Sequence, residues 1–213
     1  FIIEPVQGEG GVRIPEEGYL EAVRQKCTQT GTILIFDEIQ TGFGRCGKLF
    51  AAEKWDVVPD IITLAKALGG GMPLGALVAS AELMSMWQSN PVLGHITTFG
   101  GHPVSCAAAL ASLKILIREE WIANADRKGL LYKTILESHK AVKEIRQVGL
   151  LLAVDLGESR AAERILPLLI EEGVMSDWFL FDENSFRIAP PLSITDEEII
   201  YSASLIAAAL DRL

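Results

Sequence analysis

The sequence predicts an α/β fold built on a mostly parallel sheet, and three observations carry that reading. Apolar runs without alternation ("FIIE", "TILIFDEI", "IITLA") suit strands covered on both faces. Helical stretches with apolar periodicity or high alanine content separate and follow them. Glycine-rich loops follow the strands, and strand, helix and strand in turn make a layered α/β architecture.

The elements follow in order. "FIIEP" reads as a short strand ending in an acid and a proline, and "GEGGVRIP" as a glycine-rich loop. "PEEGYLEAVRQKCTQTG" has acids early and a glycine stop, which marks an amphipathic helix. "TILIFDEI" is the next strand, "TGFGRCGKLFAAEKWDVVPD" a loop with a short helix, and "IITLAKAL" a further strand-like segment. "GALVAS" predicts a strand and "AELMSMWQ" a helix. "VSCAAALASLKILIREE" and "WIANADRKGLLYKTILESHKA" are two long helices. "VKEIRQVGLLLAVDLG" reads as two short strands around a glycine, and "RAAERILPLLIEEG" as a helix. "SFRIAPPLSITDEEIIYSASLIAAALDRL" closes with a strand, a proline turn and a helix capped by Thr195, with Glu198 at capping-box spacing. The character changes near residue 118, so residues 1–118 and 119–213 are expected to form two domains.

Composition narrows the function classes. With 213 residues and 49% hydrophobic content the chain can bury a substantial core. No apolar stretch reaches the roughly 18 to 20 residues of a membrane span. A net charge of −9 argues against nucleic acid and anionic membranes as partners. Cys27, Cys46 and Cys106 lie far apart without a CxxC pair, and His95, His102 and His139 do not cluster. Reduced thiols in a cytoplasmic protein and no metal site are therefore expected. The chain starts without methionine, inside what reads as a strand, so it is expected to be an N-terminally truncated fragment of a longer protein.

Ligands bind at the carboxyl ends of strands in open α/β sheets. Asp37 and Glu38 end one predicted strand, Lys66 another, and Glu4 the first. A lysine and an aspartate at the ends of two apolar strands fit Schiff-base chemistry. An aldehyde cofactor needs an amine partly desolvated so that some of it is neutral. Pyridoxal phosphate also needs a carboxylate facing its ring nitrogen. The "GGG" at 69–71 is expected to give room for the lysine-bound ring and a sharp turn.

These residues carry a family resemblance. "EPVQGEGG", "FDEIQTGFGR", "ITLAKALGGGMPLGA", "TTFGGHPVSCAAAL" and "RIAPPLSIT" occur in order over residues 1 to about 195. Together they resemble the class III pyridoxal-phosphate aminotransferases, the ornithine, acetylornithine and 4-aminobutyrate group. The resemblance implies a type I PLP-dependent transferase fold. It implies a large domain with a mostly parallel sheet, of which 1–118 is the C-terminal part, and a smaller α+β C-terminal domain.

It implies that Lys66 bonds to the cofactor and shuttles a proton, and that Asp37 pairs with the pyridine nitrogen. Gln40 would lie near the 3-hydroxyl. Thr98 would donate to the cofactor phosphate of a neighbouring subunit, which makes a homodimer with shared active sites. Glu9 would neutralise Arg187 until a dicarboxylate needs that arginine, and a bidentate contact would explain the choice of arginine. The reaction implied is ping-pong amino transfer from an ω-amino donor of acetylornithine or ornithine type to 2-oxoglutarate.

The nearest alternative is a PLP aminomutase, racemase or decarboxylase on the same fold. An anion-binding reading of "LGGGMPLG" has neither P-loop nor GxGxxG spacing. His102 stands where many relatives have asparagine, and "IRQVG" departs from the usual "VRGxG", leaving Arg146 and Gly149 without a role. Glu4 is placed equally well beside the cofactor or in a structural contact. Trp55, Trp178 and Cys106 are expected to be packing residues. The family's phosphate-binding turn and ring-stacking aromatic precede the first motif here, so this chain alone is not expected to be a competent enzyme.

Overall fold

The computed structural model describes residues 1–90, 92 and 94–213. Its contacts divide the chain into two compact units. The first comprises residues 1–5, 15–43 and 48–120; the second comprises 6–14, 44–47 and 121–213. The main division lies at Glu120 and Trp121. Two short stretches, 6–14 and 44–47, belong with the second unit although a single cut in sequence places them in the first.

The first unit holds a four-stranded sheet in the order β1 (Ile2–Ile3), β2 (Ile35–Asp37), β3 (Ile61–Leu64), β4 (Ala76–Ala79). β1, β2 and β3 run parallel, and β4 returns antiparallel. Helix α1 (Tyr19–Thr30) makes the crossover from β1 to β2, as parallel pairing requires. It stops at Gly31, whose φ of 67° lets its N–H close on the Cys27 and Thr28 carbonyls. Leu20 and Cys27 of α1 pack with Leu34, Phe36, Ala52 and Val57 in the core of this unit. The Asp60 carboxylate accepts from Leu34 N–H at 2.7 Å and Arg24 Nη1 at 2.9 Å, tying α1 to the start of β2.

Two expectations for this unit change. The segment "IITLAKAL" is a strand only as far as Leu64, and Lys66–Gly69 is a 3₁₀ turn. The strand expected at "GALVAS" is β4, whose Leu77 and Val78, alternating across the sheet, are both exposed. Helix α4 (Pro103–Arg118), apolar nearly all round, buries only Ser105, Ala109 and Leu116. Its Cys106 is therefore exposed rather than in the core, along with Val104, Leu110 and Ile117. Two short helices, α2 (Ala51–Lys54) and α3 (Ala81–Ser85), complete the unit.

The second unit is an antiparallel sheet in the order β5 (Glu144–Val148), β6 (Leu151–Asp155), β8 (Asp182–Ile188), β7 (Asp177–Phe179). Every residue of β6 is buried, as befits an inner strand. Helices α5 (Trp121–Leu136), α6 (Ala161–Glu171) and α7 (Asp196–Asp211) cover the sheet through one core, which includes Leu136, Leu152, Ile165, Phe186 and Ile206. The capping box at α7 is present: Thr195 Oγ1 accepts from Glu198 N–H, and Glu198 Oε2 accepts from Thr195 N–H. At the β5–β6 turn a side chain on Gly149 (φ 55°) would strike Arg45 O at 2.2 Å, so the 44–47 stretch lies directly against that glycine. β7 is the element that sequence periodicity does not show. It is three residues long, bulged against β8, and carries an exposed Trp178, which is thus no packing residue.

Candidate active site

Because β1, β2 and β3 are parallel, their carboxyl ends share one edge of the sheet. Asp37 is the last residue of β2 and the register partner of Thr63 in β3; Lys66 follows Thr63 by three residues. Glu4 follows the last residue of β1. Asp37, Lys66 and Glu4 are thus delivered to the same edge by strand register.

The Asp37 carboxylate accepts from Ile39 N–H at 3.0 Å through Oδ1, an Asx turn that fixes its plane. Thr63, beside it in the sheet, has a buried hydroxyl with no hydrogen-bond partner among the described residues. Directly paired residues share a face of a sheet. A carboxylate and an unsatisfied hydroxyl therefore sit side by side at the edge where the lysine arrives.

Lys66 has φ of 47°, in the left-handed region that a side chain enters at a cost of about 1–2 kcal/mol. Such strain in a residue other than glycine points to a position constrained for more than packing. The side chain is exposed, so the described residues do not supply the expected desolvation. The following glycines explain the turn. At Gly70 (φ 58°) a Cβ would meet Ala108 O and Ser112 Cβ at 2.7 Å each, so its missing side chain admits helix α4 rather than a ring. Gly71 (φ 96°) has open space around it.

Glu38 and its neighbours set the loop carrying Gln40. Glu38 is completely buried; its Oε2 accepts from Thr41 Oγ1 at 2.5 Å and Ala51 N–H at 2.9 Å, and its Oε1 from Ala52 N–H at 2.7 Å. Burial pushes its pKa above the ordinary value of 4.5, and these three donors pull the other way. Gly42 N–H closes on Glu38 O at 3.0 Å, holding the half-buried Gln40 inside a tight turn. Sequence reading noted Glu38 as a strand-end acid without assigning this role. Its signal is a second acid after Asp37 that alternation turns toward the opposite face.

Thr98 is exposed in the turn before α4. His102 has a defined task there: its Nδ1 accepts from Val104 N–H at 3.3 Å, capping α4 with Pro103 at the first helical position. Asparagine, the residue expected there from the family resemblance, is likewise a preferred cap.

In the second unit Glu9 and Arg187 meet. Arg187 Nη2 lies 2.8 Å from Glu9 Oε1 and 3.3 Å from Trp178 O, and the guanidinium stacks 4.7 Å above the Phe179 ring. Glu9 is held by Leu180 N–H on Oε2 and by Phe181 N–H on its own carbonyl. The guanidinium meets the carboxylate through Oε1 rather than as the bidentate fork expected, while Oε2 accepts from Leu180 N–H at 3.2 Å. The Nε of Arg187 is buried and has no acceptor among the described residues. No cluster of metal-ligating side chains occurs among the described residues, and no helix there is long and apolar enough to cross a membrane.

Comparison with known proteins places this arrangement. The chain superposes on a transaminase from the marine bacterium Virgibacillus with a TM-score of 0.91 at 35% identity, covering 100% of this chain and 52% of that one. It matches the ornithine δ-aminotransferase of Plasmodium falciparum at 0.89 and 34%, over 100% of this chain and 56% of that one. It matches an (S)-enantioselective ω-transaminase from Thermomicrobium roseum at 0.90 and 35%, over 100% and 50%. The fold is that of the type I PLP-dependent transferases. Residues 1–210 match the family model of class III aminotransferases, and the chain belongs to that family. It spans about half the length of the solved relatives it matches.

Proposed function

We propose that this chain is the lysine-bearing part of a PLP-dependent transaminase that moves an amino group from an ω-amino donor of acetylornithine or ornithine type to 2-oxoglutarate. The first unit is read as the C-terminal part of the cofactor-binding large domain, and the second as the small C-terminal domain. Class III aminotransferases use pyridoxal 5′-phosphate, and the donor set fits that group: a lysine amine, an oriented carboxylate and an unsatisfied hydroxyl at one sheet edge. The observation that carries the substrate assignment is the Glu9–Arg187 pair, in which the guanidinium keeps a buried Nε with no acceptor among the described residues.

When bound, the cofactor supplies an aldehyde and an electron-withdrawing ring that acidifies the carbon bearing the amine. The residues of this chain do the rest. Asp37 would face the ring nitrogen and keep its proton in place, with the Asx turn aiming the carboxyl. Lys66 would hold the cofactor through its amine and, with the donor bound, would take the proton from the amine-bearing carbon. Gln40 would lie near the 3-hydroxyl.

Arg187 is neutralised by Glu9 while an ω-amine without a carboxylate there is bound, and it is released to grip the dicarboxylate in the second half-reaction. Two half-reactions at one lysine make the kinetics ping-pong. The Thr98 hydroxyl serves the phosphate of a neighbouring subunit in a homodimer. The exposed Val104, Leu110 and Ile117 on α4 support such an interface. A cytoplasmic setting is part of this reading, supported by three cysteines that lie far apart in sequence without a CxxC pair.

The test is chemical mapping with a substrate panel, on the holoenzyme. Borohydride reduction is expected to leave a pyridoxyl group on Lys66 in the peptide map. A label that persists in Lys66→Ala overturns the cofactor assignment. An ω-amine panel with 2-oxoglutarate is expected to yield glutamate. Turnover without glutamate shifts the reading to an aminomutase, racemase or decarboxylase.

A further inference from the structure

A second arginine stands in the same unit as Arg187 and differs from it in one respect. Arg146, nearly buried on β5, has five N–H donors, and all five are engaged. Its Nε donates to Gly11 O at 2.6 Å. Nη1 donates to Glu144 Oε2 at 2.9 Å and Asp155 Oδ2 at 3.2 Å; Nη2 donates to Asp182 Oδ2 at 2.6 Å and Ser185 Oγ at 2.9 Å. No donor is left over for a substrate.

Its partners lie on both sides of the Glu9–Arg187 pair. Gly11 is two residues from Glu9, and Asp182 begins the strand that carries Arg187. Asp182 Oδ2 also accepts from Ser185 Oγ at 2.9 Å and Arg13 Nη2 at 3.3 Å, so this one buried oxygen holds the loop as well as the strand. The approach is close: a Cβ on Gly11 (φ 89°) would lie 2.1 Å from Asp182 Oδ2 and 2.9 Å from Arg146 Nη2. The loop closes on itself through Gln7 N–H to Arg13 O at 3.1 Å and the reverse bond at 3.0 Å. Within it Val12 is fully buried at φ 53°, a conformation a β-branched residue keeps only when its surroundings enforce it.

We propose that Arg146 and Asp182 are positioning residues that hold the Glu9 loop against the strand of Arg187, and so set how readily Glu9 releases that arginine. The assignment rests on the reading of Glu9 and Arg187 as the substrate-side pair. It gives the arginine of "IRQVG" a role: it sets the balance between an ω-amine, served by the closed pair, and a dicarboxylate, served by the open one. A lysine there offers one ammonium from one point and cannot reach Gly11 O and Asp182 together.

The test uses the holoenzyme with glutarate, a dicarboxylate with neither amine nor carbonyl. Losing one charge-assisted contact at the loop shifts the open-to-closed balance about tenfold. Arg146→Lys is expected to tighten glutarate binding and lower the KM for 2-oxoglutarate, while lowering kcat/KM for the ω-amine. The ratio of the two kcat/KM values moves about tenfold toward the oxo acid. Arg13→Gln, at the half-exposed end of the network, is expected to move it the same way by roughly two- to threefold, and carries the test if Arg146→Lys does not fold.

In a Glu9→Gln background Arg146→Lys is expected to add nothing to the ratio. If both variants depress the two half-reactions equally and leave glutarate binding unchanged, the positioning role is overturned, although the Glu9–Arg187 reading stands. If Glu9→Gln alone leaves the ratio unmoved, that underlying reading falls.

Discussion

Gly70 offers the sharpest check on why the lysine turn has its shape. Replacing it with alanine adds a Cβ that must occupy space 2.7 Å from Ala108 O and Ser112 Cβ of helix α4. Neither is the end of a flexible chain, so helix and turn must part. The residue also sits at φ 58°, which costs an alanine about 1–2 kcal/mol. Overpacking of this kind adds about 1–3 kcal/mol. Gly70→Ala is therefore expected to lose about 2–5 kcal/mol. Gly71→Ala is the control: its φ of 96° is also unfavourable, but nothing lies within 4 Å, so only the conformational part applies. Urea unfolding of the apoprotein, followed by tryptophan fluorescence, measures both. Cofactor retention should fall further in Gly70→Ala, because the displaced turn begins at Lys66. Equal losses in the two variants would refute the close approach of α4 as the reason for glycine at 70.

Two buried or half-buried acids should respond to pH in opposite directions. The folded-state pKa of Glu38 is raised, so the folded state binds its proton more tightly; that contribution is complete below 4.5 and is lost as pH rises through the folded value. Stability of the wild type relative to Glu38→Gln should fall over that interval. Asp60 is held below its ordinary 3.8, chiefly by Leu34 N–H and then by Arg24, so its contribution is present above 3.8 and is lost as pH falls through the folded value. The gap between wild type and Asp60→Asn should close on acidification, and urea titrations across pH read both. Thr195→Ala removes the cap of α7 and should cost about 1 kcal/mol, seen as a lower urea midpoint at constant slope.

Much of the architecture was legible because local chemistry and tertiary packing agree. Gly31 ends α1, Thr195 and Glu198 begin α7, and the parallel runs pair as apolar composition implies. Sequence failed where burial depends on what lies across a face. The alanine-rich character of α4 suggested that Cys106 packs in a core, yet it is exposed. β7 escaped notice because three residues with two exposed carry no periodicity. The site divided along the same line. Asp37 and Lys66 could be placed at one edge from parallel order alone. That Glu9 meets Arg187, 178 residues away, came from motif resemblance and not from any local pattern.

Satisfaction of hydrogen-bonding groups is strict at the charges that build the site. Glu38 and Arg146 are charges withdrawn from water, and such charges are tolerated only when fully engaged. Glu38 receives three donors, and Arg146 finds an acceptor for every N–H. Arg45 is buried in a similar way: its Nη1 donates to Leu150 O at 2.9 Å and Pro190 O at 2.7 Å, and burial lowers its pKa. Arg187, Thr63, Glu21 and Asn184 break the pattern, each with a buried polar atom that no described residue satisfies. A buried donor left open costs about 1–3 kcal/mol. Of these, Thr63 is the register partner of Asp37 and Arg187 is the partner of Glu9, so two of the open groups stand beside residues of the proposed site. Within "IRQVG" the contacts that tie the Glu9 loop to β8 come from the guanidinium of Arg146, whereas the Gln147 side chain donates locally to Gly149 O at 2.8 Å.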